Sequence, residues 1–205
     1  MENIVLAAAE AYCLGDGDRP RSIETLGYMW GSSRKARDVT EIYIERVSVS
    51  ISAQRHRNWV QPNNDAARFK NEIVQRWSPH LQLLGDFHSH PYKTRAEVED
   101  QRGYEFSDGD FDAFMNDDFL WTESEIPVML VATVARLGRV HQTEGPRMVR
   151  ANVVRFDIGE LRFWLNVAIG FRTGELRDCT RNGHSPVIID VGPRLFNFAG
   201  DRVAP

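Results

Sequence analysis

The chain has 205 residues, 42% of them hydrophobic, enough to bury one real core and consistent with a single-domain soluble enzyme. Its formal net charge of −4 leaves no polyanion-binding footprint, so nucleic acid is not an expected partner, and no stretch has the length needed to cross a bilayer. Two cysteines without metal-ligand spacing, Cys13 and Cys179, suit a reducing cytosol, and Cys13 reads as a small core residue.

Met1 to Leu14 carries Glu2 where a secretory leader would be basic, and Glu10 interrupts its short apolar run. It reads instead as a helix packing Ile4, Val5, Ala8 and Tyr12 on a sheet, and a cytoplasmic location is expected. Residues 22–31 predict a strand that bears Glu24. Val39 to Ser52 predicts a longer strand whose apolar alternation over Ile42, Ile44, Val47, Val49 and Ile51 shifts phase once, as at a bulge. The basic stretches at 34–37 and 55–57 read as solvated turns. Asn63-Asn64-Asp65 punctuates and caps a helix whose Ala66, Phe69, Ile73 and Trp77 form one stripe, predicting contact with the sheet.

Leu81 to His90 predicts the next strand, closed by Pro91. Successive side chains of a strand alternate faces, so His88 and His90 point the same way, where two imidazoles can ligate one metal ion. The charged, poorly periodic stretch 92–106 reads as a surface loop beside that pair. Ser107 to Phe119 predicts a helix opened by Ser107-Asp108-Gly109-Asp110, and Ile126 to Val134 a buried central strand. Val153 to Phe171 alternates as one long half-buried strand, followed by a turn within 170–174. Val187 to Val191 and Leu195 to Phe198 predict short strands separated by Gly192-Pro193, with His141 and His184 at the surface. This last third carries no identifiable chemistry.

Taken in order, Glu24, His88-Ser89-His90-Pro91 and Ser107-x-x-Asp110 resemble the JAMM signature of the MPN/JAB metalloprotease family, and the resemblance spans roughly residues 1–140. It implies an α/β (α+β) fold, a cytidine deaminase-like mixed sheet flanked by helices; length and the strand pattern of the last third read as one domain over 1–205 with a β-rich C-terminal extension at 141–205, a thin second domain being the alternative. The resemblance also implies one zinc ion held by His88, His90 and Asp110, which would leave a fourth tetrahedral position for water. Glu24, outside the coordination sphere, would be the general base, and Ser107 would stabilise the oxyanion. The chain departs from the family pattern in the distance from His90 to Ser107. At the usual spacing it offers Val98 and Gln101, which cannot serve, so the motif resumes at Ser107 or is absent. Asp100, Asp108 and Asp112 compete with Asp110, which is preferred for its place relative to Ser107.

Each piece also has an ordinary reading. Ser107 and Asp110 form a capping-box pattern, the histidines fit a partly buried pair, and Glu24 fits an acid flanking a strand. Capping and ligation are compatible. The stretch 92–106 reads either as a lid that shapes substrate access or as a neutral surface insertion.

The function implied by the resemblance is zinc-dependent cleavage of the amide bond after the C-terminal tail of a ubiquitin-like protein, free or conjugated. The context implied is a bacterial antiviral system, with ubiquitin-activating and ubiquitin-conjugating proteins as further partners. An extended tail would bind by adding a strand beside the site. Alternatives are processing of a sulfur-carrier protein or a small amide by the same machinery, a non-catalytic MPN scaffold, and a DNA-repair-associated branch that the acidic balance disfavours.

Overall fold

Val128 to Ala135 is apolar at every position except Thr133, and such a stretch is stable only with both faces covered and both edges paired. It lies at the centre of the molecule as expected. The structure, a computed structural model, describes residues 1–13, 15–16, 19–20, 22–56, 59–138, 145–182 and 186–191. Eight strands form the main sheet: β1 (Leu26–Ala36), β2 (Val39–Val49), β3 (Gln82–Thr94), β4 (Val128–Arg136), β5 (Arg147–Arg150), β6 (Val153–Ile158), β7 (Leu161–Thr173) and β8 (Leu176–Cys179). The order is β2-β1-β3-β4-β7-β6-β5, with β8 pairing the end of β7. Every pairing is antiparallel except that of β3 with β4.

The helices are α1 (Glu2–Cys13), α2 (Asn64–Trp77), α3 (Arg95–Gln101), α4 (Asp108–Met115) and α5 (Asp118–Glu123). On one face of the sheet, α1 buries Ile4, Val5, Ala8 and Tyr12 against Phe87, Leu130, Phe163 and Leu165, as the sequence predicts. On the other, α2, α4 and α5 pack on Leu26, Tyr28, Trp30, Met129 and Val131. The period-2 alternation of the strands sorts these residues between the two faces.

The helix-flanked α/β architecture implied by the resemblance does not hold. Among the described residues strands take up 44% and helices 27%, and the dominant element is a mixed half-barrel sheet with few short helices. Nor is 141–205 an extension. β7 lies between β4 and β6 inside the main sheet, pairing Leu161–Ile169 with Arg136–Val128. The predicted long strand over 153–171 is a hairpin, because Gly159 turns the chain at a φ of 59° between β6 and β7. Both arms are largely apolar, and from 154 to 169 nearly every residue outside the turn is at least half-buried, so hydrophobicity alone does not mark the turn.

Other elements shift in detail. Glu24 precedes β1 rather than lying on it. Pro91 does not end β3: Ser89 donates its N–H to Thr25 O on the β1 side, and position 91 faces that side beyond the last β1 pairing, where its missing N–H breaks no ladder. The phase shift in β2 is real, with Trp30 opposite Arg46 and Gly31 opposite Ile44, so Glu45 is the extra residue of a bulge. The predicted helix 107–119 breaks at Asn116-Asp117, where Asp117 caps α5 by accepting from Leu120 N. Val187–Val191 is not a strand, although Ile189 is buried and donates to Ala151 O. Cys13 is exposed, not core. Leu14, His141, His184 and the expected strand 195–198 lie outside the described residues.

The largest surprise is α2. Asn63 caps it as predicted, but its packed face carries Ala67, Asn71 and Val74, while Phe69 is 64% and Trp77 77% exposed. Asn71 sets this rotation, accepting from the Trp30 indole N–H at 2.9 Å and donating to Glu123 at 2.9 Å. A buried indole N–H needs an acceptor, so a polar anchor outweighs the more apolar stripe. Val74→Ala is therefore expected to cost about 1–3 kcal/mol in urea unfolding, and Trp77→Ala less than about 0.5 kcal/mol. The reverse ranking would refute the observed orientation of α2.

Candidate metal centre

His88 and His90 lie on β3, on the face covered by α4, with Leu26 opposite His88 in β1 and Val131 and Thr133 opposite the two histidines in β4. Their Nε2 atoms are 3.2 Å apart. Asp110 approaches from the first turn of α4, with Oδ1 3.3 Å from His88 Nε2 and Oδ2 3.4 Å from His90 Nε2. One ligand atom from each residue lies within 4.8 Å of the others, an arrangement that can hold a metal ion. Two imidazole nitrogens and a carboxylate oxygen are ordinary ligands of a divalent ion, and no fourth side chain joins the group among the described residues.

The capping box and the ligand set turn out to be one arrangement. Ser107 Oγ accepts from Asp110 N at 3.1 Å, and Asp110 Oδ2 accepts from Ser107 N at 2.7 Å. The cap thus fixes the rotamer of Asp110 and turns its carboxylate to the histidines. Phe106, just before the cap, packs on His88 and on Phe111, and the side chain of Asn182 bonds both the N–H and the carbonyl of Phe106. Asp100, Asp108 and Asp112 are not in the cluster.

Glu24 is buried beside this group and stays outside it. Its N–H donates to His56 O, which holds the stretch before β1 against the chain near 56. Burial pushes its carboxyl up to about 7, with the charge of His90 opposing and that of Asp110 reinforcing the rise. Asp110 moves the other way: burial alone would raise it, but the hydrogen bonds and charges of His88 and His90 hold it far below the usual carboxylate range. Burial lowers His88 despite Asp110. For His90 burial also opposes charge, but the hydrogen bond and charge of Asp110, then Glu24 and the Gly103 carbonyl, raise it above the ordinary value.

The stretch 92–106 is not the expected loop. It continues β3 to Thr94, forms α3 and turns at Arg102, whose φ is 51°. The carbonyl of Gly103 lies 3.2 Å from His90 Nδ1. Sequence reading also missed Asp86, two residues before His88 and on the same face. Its Oδ1 and the Tyr28 hydroxyl across the strand pair are buried with no hydrogen-bond partner among the described residues. Extending the His-x-His alternation one step upstream would have found it.

Compared with models of known protein families, and with curated proteins, the chain matches none. Among the described residues no helix is long and apolar enough to cross a membrane.

Asp86 makes a pH prediction. Burial, then the charges of Asp117 and Asp110, raises its carboxyl from 3.8 to about 8. A carboxyl raised on folding makes the folded state bind more protons than the unfolded one in that window, so its effect is destabilising as pH climbs from about 4 to about 8. Asp86→Asn removes the titration. The metal-free variant is expected to gain on the order of a few kcal/mol over wild type at pH 9, shrinking toward zero near pH 4. A gain independent of pH in urea titrations would contradict this account.

Proposed function

We propose that the chain is a zinc-dependent peptidase or isopeptidase that hydrolyses the amide bond after the C-terminal tail of a ubiquitin-like protein. The observation that carries the reading is the convergence of His88, His90 and a capped Asp110 next to a buried Glu24 whose carboxyl is tuned to about 7. The resemblance to the JAMM signature supplies the substrate class. It rests on the order of these motif residues and not on the fold, which departs from the family's.

Zinc bound by this donor set would lower the pKa of a water and polarise the carbonyl under attack. Glu24, poised near neutrality, takes the proton from the attacking water and hands it to the leaving amine, so the same carboxyl serves as base and then as acid. Ser107 Oγ accepts from Asp110 N and still has its own proton to give, which it donates to the oxygen that becomes negative in the tetrahedral state. Asp110 stays ionised, as a ligand beside the two imidazoles must. Ubiquitin-activating and ubiquitin-conjugating proteins remain candidate partners, and the cytoplasm the candidate compartment.

A sulfur-carrier protein processed by the same site is the second reading, and tail-linked fusions assayed beside free dipeptides separate the two. The scaffold reading is disfavoured by the complete donor set.

Zinc content after extensive dialysis, read by elemental mass spectrometry, is expected near one per wild-type chain and much lower in His88→Ala and Asp110→Ala. Equal, negligible zinc in all three after reconstitution would sink the metal centre. Glu24→Gln is expected to keep zinc and lose hydrolysis by about 100-fold or more, and retained turnover would refute its role as base.

A further inference from the structure

We propose that the segment 92–106 is a structural part of the metal centre: the Gly103 carbonyl, braced by Thr133, positions His90 and sets its tautomer so that Nε2 is left to ligate. This rests on the metal-centre reading and deepens it by naming what holds one of the ligands.

The chemistry of the contact dictates the tautomer. A carbonyl oxygen only accepts, so the 3.2 Å approach of His90 Nδ1 to Gly103 O is a hydrogen bond only if Nδ1 carries the proton. Nε2, the atom that faces His88 and Asp110, is then the ring nitrogen that a bound metal ion would take in place of a proton. The same carbonyl accepts from Thr133 Oγ1 at 3.0 Å, so both of its lone pairs are engaged and its direction is fixed. Thr133 stands directly opposite His90 in the parallel register and is fully buried. It is the one hydroxyl on β4, whose other buried residues are all apolar. A valine would fill that volume without a polar group to satisfy, so packing alone does not call for threonine.

The segment is built to deliver that carbonyl. After α3 the left-handed Arg102 turns the chain and Gly103 N donates to Val98 O, a cap that needs no further partner. Val98 is fully buried with Ala135, Val153 and Trp164, which pins α3 to the ends of β4, β6 and β7. A Cβ on Gly103 would come within 2.3 Å of the Tyr92 ring, so any larger residue here would have to displace that ring. Downstream, Asn166 donates to Tyr104 O at 3.0 Å, and Glu105 pairs with Arg150 at 2.6 Å. An element held on this many sides is a brace, and neither the lid nor the neutral-insertion reading describes it. Groups that orient a ligating histidine through its second nitrogen typically matter about 10- to 100-fold in metal affinity.

Two measurements test the proposal. In zinc-loaded wild-type protein, long-range nitrogen–proton NMR of the imidazoles is recorded, with the His90 ring assigned through correlations to its own backbone. The expected result is the Nδ1–H tautomer for His90, and the Nε2–H tautomer overturns the proposal. Zinc affinity, by chelator competition, is expected to fall at least about tenfold in Thr133→Val and to return to within about threefold of wild type in Thr133→Ser. Wild-type affinity in a folded Thr133→Val overturns it as well. If Thr133→Val fails to fold, the tautomer decides alone. A wild-type protein that binds no zinc would sink the metal-centre reading, whereas zinc bound by wild type through His90 Nδ1 would sink this proposal alone.

Discussion

The parallel pairing of β3 with β4 is the constraint on which the rest of the structure depends. Two parallel neighbours cannot be joined by a tight turn, so the chain must travel back over the sheet before β4 begins. That return, residues 95–127, contains α3, α4 and α5 and crosses the face on which His88 and His90 stand. Ser107 and Asp110 reach the histidines because the crossover runs over the face on which they stand. The same pairing places Thr133 opposite His90 and buries both strands on each face, which leaves the imidazoles in surroundings dry enough for Asp110 to act on them strongly.

The charge pattern follows from this placement. Glu24, Asp86 and Asp110 are three acids gathered around two imidazoles, and burial penalises ionisation of each. Only Asp110 has hydrogen-bonding partners that repay the cost, and it alone is driven down. Glu24 and Asp86 are driven up, to about 7 and about 8. A set of neighbouring carboxyls pushed in opposite directions is how one site obtains a permanent anion and a proton carrier from the same chemistry.

Much of the site was legible in the sequence, and the fold was not. The pairing of His88 with His90 follows from strand periodicity alone, and the Ser107–Asp110 reciprocity from the spacing of a capping box. Both are local rules that tertiary context has no reason to override. The errors arose where partners distant in sequence decide. The rotation of α2 depends on the Trp30 indole finding Asn71, which no helical stripe reports. The place of β7 between β4 and β6 depends on strand order, to which alternation is blind. The continuation of β3 through Pro91 depends on where β1 stops. The stretch 92–106 looked like a loop because α3 is short and rests on a single fully buried side chain, Val98.

The Glu45 bulge has a bearing on how the molecule meets its neighbours in solution. β2 pairs only with β1 among the described residues, so its outer edge presents a row of backbone donors and acceptors over eleven residues. An edge of that length, carrying Ile42, Ile44, Val47 and Val49, is a template for stacking one copy on another. The extra residue breaks the spacing of that row and twists it midway. Glu45 also engages Ser32, while Arg34 and Tyr43 gather on Glu41, so charged groups flank the strand on one side of the bend. Deleting Glu45 would straighten the edge and restore unbroken alternation, turning a strand that resists fibril-like self-association into one that invites it.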